Sequence, residues 1–350
     1  MKLKRFLKIM LLIVLLIITL VLGVLAFFLK KLDRIDYVTD TPSATYPAAD
    51  PEDTEDDYVV DIGDLEISET HPVIPDSEIQ TSDEVLNILL LGTDERSKDF
   101  SYKARSDSMI LVSINKTDGT VRLVSFERGI GVPILEGELE GQYDLLTHIF
   151  RWGGSELVEK TIEHCFKIEI DHYVRLNFNS VRTIVDMIGG IDVELSKAEA
   201  DALTWNWGNP VKQFYEGTNR LDGKWALSYA RLRVIDSDWV RVGRQRKVIL
   251  AVVDKMKSAS LSELNDLANE VLPMIQTNMT KLDITELILY APKFLTSEFD
   301  QMTIPKAGTY GGIRIRGDNQ YGFGVDYEIN NDLLYRFLYE GASSEELLAE

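Results

Sequence analysis

A single cysteine, Cys165, stands in 350 residues, so the chain can form neither an internal disulfide nor a cysteine-rich metal site. Its four histidines, His71, His148, His164 and His172, are scattered, with no HExxH or paired-ligand spacing. Neither a P-loop nor GxGxxG occurs, so no nucleotide is indicated. Positive charge is scarce. Lys and Arg number 37 against 57 Asp and Glu, a net charge of -20 with a pI near 4.7. A nucleic-acid surface needs clustered cations against phosphate, which excludes nucleic acid as a partner. Hydrophobic residues make up 45% of the chain, ample for a core.

Against that acidic background, five arginines concentrate between Ala226 and Ile249. In Tyr229–Val234 apolar and cationic residues alternate, which predicts an extended segment with Arg231 and Arg233 on one face. After Ser237-Asp238, a predicted N-cap, Arg241, Arg244, Gln245 and Val248 fall at i, i+3, i+4 and i+7, the spacing of one helix face. Cations in a first helical turn oppose the helix dipole, so the pattern suits an anion held among them. A solvated basic face paired with nearby acids is the other reading of the same spacing.

The N-terminus divides by charge. Lys2, Lys4, Arg5 and Lys8 precede an uncharged apolar run over residues 9–29, about the ~20 residues a helix needs to cross a bilayer. The run is longer than a signal-peptide core and lacks a small-x-small cleavage site, so a permanent single-pass anchor is expected. The cationic flank places the stub 1–8 in the cytoplasm and everything after residue 31 outside the cell membrane. Residues 30–80 are expected to be an extended, disordered linker. From Asp36 to Gln80 they carry no Lys or Arg, five prolines and the run Asp50–Asp57.

From residue 81 to 350 the pattern is globular. Val85–Leu91, Met109–Ile114 and Val121–Phe126 read as strands, with an Asp118-Gly119 hairpin turn between the last two. Helices are predicted at Gly153–Phe166, Ser180–Ile188, Asp238–Ser258, Leu261–Gln276, Ile284–Phe294 and Asn330–Tyr339. Strands are predicted at His172–Phe178, Ile191–Leu195 and Gln301–Ile304. Alternating strands and helices predict a mixed α/β sheet covered on both faces.

Three strand ends carry polar residues where such sheets place their sites. They are Gly92-Thr93-Asp94-Glu95-Arg96, Arg105-Ser106-Asp107-Ser108, and Ser125-Phe126-Glu127-Arg128-Gly129. Each has an ordinary reading as a turn, cap or strand-end charge. Together, two carboxylates at adjacent strand ends can hold a hard cation, and Mg²⁺ commonly pairs one or two carboxylates with phosphate oxygens. Surrounding arginines would neutralise the remaining phosphate charge during phosphoryl transfer.

These stretches resemble the LytR-CpsA-Psr family. The resemblance rests on NILLLGTDERS (87–97), RSDSMILVSIN (105–115), SFER (125–128), LLTHIFRWGG (145–154), IDHYVRLNF (170–178), IVDMIGGIDVEL (184–195), LDGKWALSYARLR (221–233) and DWVRVGRQRKVI (238–249), in unbroken order over Val85–Lys257. It implies a three-layer α/β/α sandwich outside the membrane. It also implies a phosphotransferase that moves anionic glycopolymer, of teichoic acid or capsule type, from an undecaprenyl diphosphate carrier onto peptidoglycan. By position, Asp94 and Asp107 match the Mg²⁺-associated acids. Arg96, Arg105, Arg128, Arg231, Arg233, Arg241 and Arg244 match the arginines around the diphosphate, with Asp238 and Gln245 beside them. The family's SxPRD reads Ser125–Gly129 without its proline and final aspartate, and a family lysine is replaced at Leu145. Hydrolysis of the same lipid, or binding without catalysis, are the alternatives. A role as transcriptional attenuator is opposed by the acidic charge, the absence of a helix-turn-helix and the expected outside location.

Overall fold

The structure, a computed structural model, describes residues 26–27, 29–38, 60–95, 104–205, 212–236, 238–294, 296–316 and 320–350. The expected stub 1–8, nearly all of the span 9–29, and Arg96 lie outside them. Among the described residues no helix is long and apolar enough to cross a membrane.

In chain order the strands are β1 (Asp36–Tyr37), β2 (Ile67–Ser68), β3 (Val85–Thr93), β4 (Ser106–Asn115), β5 (Val121–Phe126), β6 (Gly131–Pro133), β7 (Tyr143–Leu145), β8 (His172–Asn177), β9 (Ile191–Leu195), β10 (Gly217–Leu221), β11 (Gln276–Thr277), β12 (Phe299–Ile304), β13 (Tyr310–Arg316) and β14 (Gln320–Val325). A helical turn at residues 29–32 is α1. The later helices are α2 (Leu146–Phe166), α3 (Phe178–Met187), α4 (Lys197–Trp205), α5 (Gly223–Ala230), α6 (Asp238–Lys257), α7 (Leu261–Val271), α8 (Lys281–Phe294), α9 (Tyr327–Tyr335) and α10 (Ser344–Ala349).

The centre is a mixed sheet in the order β1-β11-β8-β3-β4-β5-β12. β3, β4 and β5 run antiparallel, while β8 joins β3 and β12 joins β5 in parallel. Both faces are covered, which is why β3 reads as a nearly continuous apolar run rather than an alternating one. Leu89 and Leu91 pack with Leu111, Phe126 and α2 on one side. Leu86 and Leu90 pack with Ile110, Leu123 and residues of α6 and α8 on the other. The mixed sheet expected from sequence is therefore present.

α2 begins earlier than the predicted Gly153 start and is kinked there. Gly154 takes φ 66°, ψ −157°, a conformation suited to glycine alone, so its two halves meet at an angle. A second core gathers α3, β9, α4, α5 and α6 around Ile191, Trp225 and Tyr229. A small sheet, β14-β13-β2, packs against β7 through Leu145, Ile313 and Phe323.

Two expectations are corrected. Tyr229–Val234 is not extended: α5 runs through Ala230 and Arg231 caps it, its N–H returning to the Leu227 carbonyl. Alternation over six residues is too short to outweigh the helix that enters from Asp222, whose side chain accepts the N–H of Trp225. Nor is 30–80 one linker. β1 extends the main sheet beside β11, with Leu32 and Ile35 buried. Val60 is buried as well, β2 pairs with β13, and Gln80 bridges to Ile168. The expected linker therefore contributes residues 32–38 and 60–80 to the folded domain, and 39–59 lies outside the described residues. Acidic composition hid these few apolar residues, which stand among charged neighbours.

Candidate active site

At the end of the β3–β4 ladder, Gly92 faces Ser108 but Thr93 faces Ser106. Asp107 is the extra residue of a β-bulge, which leaves its backbone outside the ladder and re-aims its side chain. A buried carbonyl released this way needs donors. Helix α6 supplies them from one face: Arg241 Nη2 lies 3.1 Å and Gln245 Nε2 3.2 Å from the Asp107 oxygen.

The Asp107 carboxylate is itself buried among cations. Arg128 Nη1 sits 2.9 Å from Oδ1 and Arg241 Nη2 3.3 Å from Oδ2. Burial pushes this carboxyl up, but Arg241, Arg128, Arg233 and Arg105 together outweigh it and hold the group below the usual carboxylate range. The anion expected among the first-turn arginines of α6 is, in the protein alone, its own Asp107.

Asp94 closes the other side. Its carboxylate accepts the Arg105 backbone N–H at 2.8 Å and Arg105 Nε at 3.2 Å. Arg105 faces both acids and joins them into one cluster. Directly behind, Glu95 forms a buried ion pair with Arg175, whose guanidinium stacks over Phe150 at 4.5 Å. The neighbouring acids Asp94 and Glu95 therefore take separate partners.

Of the remaining expected residues, Arg233 reaches the cluster, while Arg231 and Arg244 bond elsewhere. Arg244 is fully buried and bonds Glu199 at 2.8 Å, the Leu232 carbonyl at 2.9 Å, and Asp236. It ties α6 to α4 and to the turn after α5, so it is not among the groups bonded to Asp107. Arg231 is exposed and lies over the Phe178 ring at 4.4 Å. Arg233 is exposed too, though close enough to act on Asp107. Asp238 opens α6.

Sequence reasoning passes over Glu199, the acid that anchors Arg244. Its signal is a capping box: Ser196 Oγ accepts the Glu199 N–H while Glu199 accepts the Ser196 N–H at 2.9 Å. Asp144 is passed over as well. It holds His148 Nδ1 at 2.8 Å and Trp152 Nε1 at 2.9 Å, which fixes the start of α2 against Arg128, whose carbonyl accepts the Thr147 N–H. Glu127, the departure from the family motif, is completely buried beside β12.

As a whole the cluster presents four guanidinium groups, from Arg105, Arg128, Arg233 and Arg241, to two carboxylates. That surplus of positive charge suits a polyanion such as a diphosphate. Among the described residues no three His, Cys, Asp or Glu converge as a metal cage. Asp94 and Asp107 alone still fit Mg²⁺, which needs only one or two carboxylates when phosphate oxygens complete its shell. Each carboxylate oxygen has lone pairs left beside its arginine.

The chain is similar to known proteins over most of its length. The chain is 30% identical to the polyisoprenyl-teichoic acid–peptidoglycan teichoic acid transferase TagT of Bacillus subtilis over 262 residues, 73% of this chain and 79% of that protein. It is 32% identical to TagU of Enterococcus faecalis over 254 residues, 71% and 80%. Among solved structures, TagT bound to LIIa-WTA superposes with a TM-score of 0.58 at 25% identity, covering 80% of this chain and 97% of that one. The Streptococcus agalactiae protein gbs0355 gives 0.62 at 25% identity, covering 75% and 90%. The LytR-CpsA-Psr family pattern itself matches residues 58–335, and this chain belongs to that family.

Proposed function

We propose that this chain is a membrane-anchored phosphotransferase of the cell envelope. It moves an anionic glycopolymer of teichoic acid or capsule type from an undecaprenyl diphosphate carrier to peptidoglycan. The observation that carries the reading is Asp107, a buried acid kept ionised by arginines that outnumber it. Such a site is preorganised for the charge of a phosphoryl group, in a place water does not screen. The relatives named for teichoic acid transfer to peptidoglycan support the substrate class.

In the reaction, an acceptor sugar hydroxyl forms a bond to the glycan-bearing phosphorus. The bond from that phosphorus to the bridging oxygen breaks, and lipid monophosphate leaves with the electron pair. Asp94, more exposed than Asp107 (side chains 22% and 8%), takes the hydroxyl proton. Asp107, held ionised by its arginines, is too weak a base for that step and positions charge instead. Mg²⁺ bound by these two acids would supply Lewis-acid stabilisation of the diphosphate. The run 9–29 would hold the protein in the cell membrane with the domain outside.

The test is product analysis with the full chain in vesicles, given a fluorescent undecaprenyl diphosphate glycan with and without a peptidoglycan fragment. Lipid monophosphate should appear only with the acceptor, alongside a phosphodiester-linked glycan. Release without acceptor identifies a hydrolase, and retention of intact lipid identifies a binding protein; either overturns transfer.

A further inference from the structure

The stretch that follows the apolar run is built into the edge of the domain. Lys31 Nζ donates to the Asn265 backbone carbonyl at 3.3 Å and to its side chain, and Arg34 reaches Asn269 at 3.4 Å, both on α7. The Asp36 N–H bonds the Ile275 carbonyl at 3.1 Å and the Val38 N–H the Thr277 carbonyl at 2.9 Å. Gln276 donates to the Asp36 carboxylate at 2.8 Å. Lys281, the first residue of α8, pairs with Asp33.

These contacts set a distance. The apolar run ends at residue 29 and Leu32 is already buried in the domain. Three residues span at most about 10 Å. The headgroup layer on each side of a bilayer core is itself roughly 5–8 Å thick. A spanning run therefore leaves no room for a spacer between the membrane and the α7–α8 edge.

What α8 shows at that edge is apolar. Leu282 is 74% exposed and Leu289 75%. Separated by seven residues, they lie on one helix face, with Ile288 and Tyr290 also exposed on the helix. Lys281 and Lys293 stand at its two ends, and Glu286 shares the outward face. Leucines exposed along one face of a helix beside the anchor suit a helix lying in the interface of headgroups and acyl chains.

We propose that the α8 face of Leu282 and Leu289 rests in the outer leaflet, so that the domain sits on the bilayer rather than being held away from it. This rests on reading 9–29 as an anchor. The occupant is lipid because the chain leaving the anchor enters the fold beside this helix.

The full chain offers a direct test, since Cys165 is fully buried and an introduced cysteine takes the label alone. Leu282→Cys, Leu289→Cys and, as a control, Ile329→Cys on α9, which packs on the opposite face of the sheet, would each carry a bimane fluorophore. Each is reconstituted into phosphatidylcholine–phosphatidylglycerol vesicles with doxyl-labelled lipid and floated on a gradient. The expected result is co-flotation of all three, with quenching at 282 and 289 at least about threefold stronger than at 329. Co-flotation with equal, weak quenching at all three positions overturns the seating and leaves the anchor intact. Shielding of 282 and 289 from an aqueous quencher without lipid quenching identifies a protein contact there, and also overturns it. Failure to float removes the anchor and the seating together.

Discussion

Arg241 meets Asp107 twice, its Nη2 lying 3.1 Å from the backbone carbonyl and 3.3 Å from the carboxylate. One guanidinium thereby fixes both the position of the bulged residue and its charge. Arg128 completes the pairing from β5's end, while the more exposed Arg233 and Arg105 lie in the same cluster, Arg105 bonded to Asp94. A division of labour results: Arg128 and Arg241 bond the acid directly, and Arg105 and Arg233 act on its charge from less buried positions.

Replacing Asp107 by Asn keeps its shape but removes the buried carboxylate that Arg128 and Arg241 share. Breaking a buried pair from one side costs about 3–5 kcal/mol. Denaturant unfolding of Asp107→Asn should show a loss of that size, with transfer abolished. A variant as stable as wild type would mean that the pair contributes little to the fold.

Acid should unfold this region through the same group. The Asp107 carboxyl is depressed in the folded protein relative to an unfolded aspartate, for which the usual value is about 3.9. Its contribution is therefore fully present above that pH and is lost as pH falls through the lower folded value. Stability measured from pH 6 to pH 2 should drop less steeply below about pH 4 in Asp107→Asn than in wild type. Parallel curves would assign the acid sensitivity to other carboxylates.

Arg241→Lys and Arg244→Lys should separate. Lysine cannot reproduce a fork that reaches two or three acceptors. At Arg244 the lost partners are Glu199, Leu232 and Asp236, all structural, so stability should fall by several kelvin in Tm while the folded enzyme retains most of its turnover. At Arg241 turnover should fall at least about a hundredfold. Equal turnover losses in the two variants would erase the distinction.

Arg246 makes the opposite case to Arg128. Among the described residues it donates only to neutral acceptors: Gln301, Ser125, Thr303 and the Met302 carbonyl. Burial alone pushes its guanidinium down to about 10, still charged at neutral pH. Arg246→Met should therefore stay within about 1 kcal/mol of wild type, because no buried carboxylate is orphaned. A loss as large as that of Arg128→Met would show that the neutral bonds matter as much as an ion pair.

Much of the frame is legible in the amino-acid sequence. β3, β4, β5 and α6 follow from apolar runs and from the i, i+3, i+4 spacing of Arg241, Arg244 and Gln245. β13 and β14 escape such reading because Gly311, Gly312, Gly322 and Gly324 dilute the strand signal. β11 is two residues long and gains its identity only from β8 and β1. The bulge at Asp107 depends on a register that no local pattern encodes. Arg244's partner Glu199 stands 45 residues away, so its occupation cannot be seen from α6 alone.

Equilibrium binding of a short polyprenyl diphosphate disaccharide to the full chain in detergent tests the arginine cluster most directly. Wild type should bind it in a Mg²⁺-dependent manner, and Arg241→Lys should weaken that binding at least tenfold, about 1.4 kcal/mol. Unchanged affinity in a folded Arg241→Lys and a folded Arg128→Lys would place the diphosphate somewhere other than beside Asp107.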